Sequence, residues 1–98
     1  IPAYPQSSMD GYAFSYTDWL QNKSLQISGE MAAGTKESVP LSSNTAVRIF
    51  TGAPVPPGAD TVVMQEKVVA EKGILIIQDN QLQTGANVRP KGSEITVG

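Results

Sequence analysis

Leu25-Gln26-Ile27-Ser28-Gly29-Glu30-Met31 alternates apolar with polar or small side chains. That period of two is the signature of a half-buried strand. Upstream, Tyr12-Ala13-Phe14-Ser15-Tyr16 repeats the pattern with aromatic residues at alternate positions. Downstream, Ala46-Val47-Arg48-Ile49-Phe50, Thr61-Val62-Val63-Met64-Gln65 and Ile74-Leu75-Ile76-Ile77 are runs rich in β-branched residues and bounded by turn formers. Helical periodicity is confined to residues 17–23, where one short turn with Thr17 or Asp18 as N-cap is predicted. Short strands at this spacing, with nine glycines and seven prolines in the chain, predict an all-β fold: a small barrel-like or sandwich domain.

The punctuation agrees. Glu71-Lys72-Gly73 reads as a hairpin turn with Gly73 at positive φ, and Asp79-Asn80 as a second turn. Pro54, Pro56 and Pro57 cannot donate ladder hydrogen bonds, so residues 53–59 are expected to leave the sheet as a stiff loop. From Gln81 onward an extended tail of short strands is expected. Ninety-eight residues make a single domain, 1–98. With no initiator methionine, the chain reads as a piece of something longer.

Composition narrows the chemistry. Cysteine and histidine are both absent, which excludes disulfides, thiolate nucleophiles, Cys/His zinc sites and a histidine general base. A metal here would be a hard cation on oxygen ligands, such as Mg²⁺. Net charge is −2 and the seven basic residues are scattered, so no basic patch marks a nucleic-acid binder. No apolar run approaches the roughly 20 residues that span a bilayer. These features, with the lack of cysteine, fit a cytoplasmic protein that engages neither nucleic acid nor membrane.

Three loops hold the candidate site residues. In Ser7-Ser8-Met9-Asp10-Gly11-Tyr12, Asp10 sits beside a glycine at a predicted bend. It reads either as an Asx-turn or as a carboxylate that holds Mg²⁺ or a polar ligand. Thr51 opens the loop Thr51-Gly52-Ala53-Pro54-Val55-Pro56-Pro57-Gly58 directly after a strand. That loop lacks the G-x-x-x-x-G-K-[ST] pattern, and its prolines remove donors a phosphate nest needs. Thr51 reads equally as an ST-turn or as a ligand contact. In Asn87-Val88-Arg89-Pro90-Lys91-Gly92-Ser93-Glu94, Arg89 and Lys91 would suit an anion or simply be solvated. Glu94 would complement Asp10 only if the fold joined them.

Ser8-Met9-Asp10-Gly11-Tyr12-Ala13, Val47 through Pro56, Gly58 through Glu66 and Gly85 through Gly92 closely resemble the molybdopterin molybdenumtransferase family, the MoeA and gephyrin E-domain proteins. The resemblance runs over essentially the whole chain. It implies the small β-rich domain, numbered II, of a larger enzyme. That enzyme inserts molybdenum from molybdate into adenylated molybdopterin, releasing AMP in a Mg²⁺-dependent step. The family works as an elongated homodimer whose cleft lies between domain II of one subunit and domains III and IV of the other. On this resemblance Asp10 and Thr51 line the cleft and are expected to be catalytic. Glu94, one methylene longer than the Asp often found there, is the third such position. Ser8, Met9, Gly11 and Tyr12 around Asp10, Gly52 and Pro54 beside Thr51, and Arg89 are the expected substrate-binding residues. Asp10 is the expected Mg²⁺ ligand. With one wall of the cleft, the isolated domain is expected to be inactive.

Two other classes compete. A non-catalytic protein-interaction module would use exposed apolar residues such as Trp19 and Val55. An OB-type barrel would stack bases on Tyr12, Phe14 and Tyr16, although Asp10 and Asp18 flank them.

Overall fold

The computed structural model describes residues 4–35 and 39–90. The elements in chain order are β1 (Gln6–Ser7), β2 (Gly11–Phe14), α1 (Tyr16–Asn22), β3 (Ser24–Met31), β4 (Thr45–Ile49), β5 (Thr61–Met64), a 3₁₀ turn (Gln65–Lys67), β6 (Val68–Glu71), β7 (Ile74–Ile77) and β8 (Val88–Arg89). Six strands form one sheet in the order β5-β2-β4-β3-β7-β6, and β1 pairs with β8 separately. All pairings are antiparallel except β3 with β4. The fold is all-β, as the alternation in the sequence predicts. No helix among the described residues is long and apolar enough to cross a membrane.

Successive residues of a strand face opposite sides of its sheet, and here both sides are covered. Ala13, Val47, Ile49 and Val62 join Met31, Ala53 and Val55 in one core cluster. Their chain neighbours Phe14, Ala46 and Val63 join Leu25, Leu75, Ile77 and Leu82 in another. Strands β2, β4 and β5, covered on both faces, therefore read as nearly continuous apolar runs, whereas β3 alternates. Phe14 is fully buried and meets Trp19 edge-on at 6.1 Å.

Helix α1 starts earlier than the sequence suggests. Ser15, not Thr17 or Asp18, is the N-cap, its hydroxyl accepting the Asp18 amide. The Asp60 carboxylate takes the Tyr16 amide at 3.0 Å. A distant residue thus supplies part of the cap, which local pattern could not reveal. The β6–β7 hairpin turns at Lys72-Gly73, both at positive φ (52° and 78°), as a two-residue type I′ loop requires. The expected second turn forms at Asp79-Asn80, the Asp79 carboxylate accepting the Gln81 amide.

Residues 81–87 depart from the expected extended tail. They are mostly turns, and among the described residues of that tail, 81–90, only Val88–Arg89 forms a strand; residues 91–98 lie outside the described residues. Their backbone is used elsewhere: the Ala86 carbonyl accepts the Val62 amide, and the Asn87 side-chain amide donates to the Val62 carbonyl at 2.8 Å. This segment covers the outer edge of β5, satisfying groups an edge strand would otherwise expose.

Candidate functional site

Strand register brings the site together. In the antiparallel pairs, Gly11 lies opposite Ile49 of β4 on one side and Met64 of β5 on the other. The residue before β2 therefore lies beside the residues that follow β4 and β5. Asp10, Phe50-Thr51 and Gln65 converge at this end of the sheet.

At Gly11 the approach is so close that a Cβ would stand 1.8 Å from the Val63 carbonyl oxygen. Only glycine fits there. Beyond β4, Phe50-Thr51-Gly52-Ala53 is a β-turn closed by the Ala53 amide on the Phe50 carbonyl at 2.9 Å. Gly52 takes φ +87° at its third position, as a type II turn demands. The Gly52 amide then donates to the Ser7 carbonyl, and the Ser7 amide to the Ala53 carbonyl. The Thr51 turn is thus clamped to β1.

Asp10 is exposed, and its carboxylate does not close on its own loop. Oδ1 accepts the Thr51 amide at 2.8 Å and the Thr51 hydroxyl at 2.9 Å. Neither an Asx-turn nor an ST-turn describes the pair; each side chain reaches 41 residues along the chain to the other. Gln65 donates its backbone N–H to the Asp10 carbonyl at 3.1 Å. The Thr51 amide and then its hydroxyl hold the Asp10 carboxyl below its ordinary value, with a smaller contribution from the Arg48 cation against slight desolvation. The result is a fixed, ionised carboxylate at the surface. Among the described residues both bonds land on Oδ1 and none on Oδ2.

The remaining predicted site residues fall into different settings. The Ser8 hydroxyl donates to the Asn87 carbonyl at 3.1 Å, securing the Asp10 loop from the far side. Met9 is 36% exposed. Tyr12 is half-buried against the second core cluster. Gly11 and Pro54 are buried, and Pro54 bridges Gln6, so both shape the backbone. Arg89 lies exposed in β8 opposite Gln6. Among the described residues no hydrogen bond ties it to Asp10. Glu94, Lys91 and Ser93 lie outside the described residues.

Arg48 and Gln65 belong to this cluster and were not foreseen. A charged residue inside the otherwise apolar run Ala46–Phe50 was the available signal. Ser7 was also missed: it is 1% exposed, and its hydroxyl donates to the Met9 carbonyl at 2.7 Å. The described residues contain no group of three or more His, Cys, Asp or Glu. A single carboxylate such as Asp10 could hold a hard cation only if that ion kept most of its waters.

The features expected of the competing classes are absent from the positions assigned to them. Val55 is 6% exposed, and Trp19 is half-buried beside Phe14 and Tyr16. Neither is an exposed anchor. Phe14 is in the core and Tyr16 opens the helix, so Tyr12, Phe14 and Tyr16 do not form one face for stacking bases. A largely apolar groove of about 690 Å³ lies elsewhere, lined by Tyr4, Val55, Pro56 and Val88 among others.

Comparison with known proteins completes the picture. The family described as the MoeA N-terminal region (domain I and II) matches residues 1–98. A molybdopterin molybdenumtransferase from Haemophilus influenzae is 35% identical over 98 residues, covering 100% of this chain and 24% of that protein. Another, from Nostoc, is 42% identical over 82 residues, 79% of this chain and 19% of that protein. The crystal structure of a molybdopterin biosynthesis MoeA protein from Pyrococcus horikoshii superposes with a TM-score of 0.85 at 28% identity, over 95% of this chain and 25% of that one. The chain thus spans about a quarter of the length of these relatives. With the motifs, the fold and the matched length in agreement, this chain belongs to the MoeA family and corresponds to its N-terminal region.

Proposed function

We propose that this chain is the substrate-cleft domain of a molybdenum insertase. The full enzyme transfers molybdenum from molybdate to adenylated molybdopterin in molybdenum cofactor biosynthesis. The observation that carries this reading is the Asp10–Thr51 pair: two short motifs joined by two hydrogen bonds at an exposed position, in a chain of the MoeA family.

Asp10 and Thr51 are the groups that meet the ligand. Asp10 presents fixed negative charge to a cation or to ligand N–H and O–H groups, while Thr51 orients it. Where Mg²⁺ takes part, Asp10 is the carboxylate that would hold it, and the ion would neutralise phosphate charge on the substrate. Ser8, Met9 and Tyr12 contribute walls, Gly11, Gly52 and Pro54 set the backbone, and by their chemistry Arg89 would serve anionic groups and Glu94 would serve as a further carboxylate. The partners are the remaining domains of the same polypeptide and a second subunit in a cytoplasmic homodimer. Positioning and electrostatic catalysis require every wall of a site, so the 98-residue chain is inactive alone.

The test uses the full-length parent in a host that makes adenylated molybdopterin but cannot insert molybdenum. Restored molybdoenzyme activity with the parent, and none with Asp10→Ala at equal expression, is the expected result. Rescue by both would reduce Asp10 to a structural residue. Failure of the parent itself would overturn the insertase reading and favour an interaction module.

A further inference from the structure

Arg48 lies in β4 directly opposite Tyr12 of β2, on the side of the sheet that carries the second core cluster. Its guanidinium stands 4.6 Å from the centre of the Phe50 ring and 5.4 Å from that of Tyr12. From this aromatic grip it donates twice. Nη1 reaches the Gly11 carbonyl at 3.3 Å, and Nη2 the Gln65 Oε1 at 2.7 Å. Both acceptors border Asp10: Gly11 follows it in the chain, and the Gln65 backbone N–H holds the Asp10 carbonyl. Phe50 in turn precedes Thr51, whose amide and hydroxyl bind the carboxylate. One side chain therefore touches all three segments that meet at the site.

We propose that Arg48 is a positioning residue for Asp10: its planar fork, held between Tyr12 and Phe50, locks the ends of β2, β4 and β5 in the one arrangement that presents the Asp10 carboxylate to a ligand. A lysine cannot replace it, because a point charge on a flexible stem cannot stack between rings and serve both oxygens at fixed geometry. The fork also fixes Gln65. A guanidinium only donates, so the Gln65 amide must turn Oε1 toward Arg48, leaving its NH₂ group as a donor at the site. The inference deepens the reading of Asp10 as the ligand-facing carboxylate.

The test follows the Thr51 amide proton in this 98-residue chain by NMR, since that proton donates to Asp10 Oδ1. Arg48→Lys and Arg48→Met are expected to move its resonance upfield and speed its exchange with solvent, while Leu75 and Ile77 of β7 keep their parental signals. Gln65→Met, at an exposed side chain, should move Thr51 in the same direction by less. A parental Thr51 signal in Arg48→Lys would show that charge alone suffices and would overturn the proposal. So would equal changes at Thr51 and in β7, the mark of a general structural role. If neither Arg48 variant folds, Gln65→Met decides: an unaltered Thr51 amide overturns the proposal. The readout needs no enzyme activity, so this assignment and the insertase reading can fail separately.

Discussion

Asp10 accepts two hydrogen bonds from Thr51 on a single carboxylate oxygen, across 41 residues of sequence. The contact joins the residue before β2 to the turn after β4, and it exists because those strands are antiparallel neighbours in the register Gly11–Ile49. Activity should follow this bond. In the complementation assay Thr51→Ser, which keeps the hydroxyl, should remain near the parent. Thr51→Val keeps the amide bond but loses the second, and should fall clearly below it. Equal rescue by both would remove the hydroxyl from the mechanism.

The acid stability of the chain should report the same pair. Because the native carboxyl of Asp10 titrates below 3.8, its contribution is fully present above that value and disappears as pH falls through the lowered native one. Urea midpoints of the parent and of Asp10→Asn should therefore differ by a constant amount near neutrality. The difference should begin to close below pH 3.8 and vanish in stronger acid. A gap that persists unchanged into acid would mean that the ionised form is not the one Thr51 stabilises.

The two glycines of the site should respond differently to alanine. At Gly11 the new methyl meets backbone oxygen at 1.8 Å, and β5 must move to admit it. Overpacking of this kind costs about 3 kcal/mol or more. At Gly52 the nearest atom is the Ala33 methyl at 3.9 Å, so only the left-handed backbone is strained, at about 1–2 kcal/mol. Chemical denaturation should rank Gly11→Ala well below Gly52→Ala. The reverse order would contradict the β2–β5 approach described above.

Thr61 offers a test remote from the site. It is fully buried, and its hydroxyl accepts the Gly85 amide at 3.0 Å while donating to Asp60 Oδ1 at 2.9 Å. Thr61→Val keeps the shape and leaves the Gly85 amide without its acceptor. A loss of about 1–3 kcal/mol is expected, with faster exchange at Gly85. An unchanged denaturation midpoint would show that this part-buried bond adds nothing to stability.

Much of this molecule was legible in its sequence, because the relevant information was local. Ile74–Ile77 was read to the residue, and Leu25–Met31, Ala46–Phe50 and Thr61–Gln65 were placed to within one residue at either end, since period-two alternation and β-branched runs depend only on neighbours. Lys72-Gly73 and Asp79 were legible for the same reason. The motifs around Asp10 and Thr51 identified the family. What stayed hidden was everything set by contacts between distant segments. The Ser15 cap is completed by Asp60, residues 81–87 are spent covering β5, and Arg48 and Gln65 join Asp10 only because β2 lies between β4 and β5. A strand's sequence specifies which of its faces is apolar, but not which strands will flank it. That choice is made by the cooperative burial of both faces of the sheet, so it took the tertiary structure to turn Asp10, Thr51, Arg48 and Gln65 into one site.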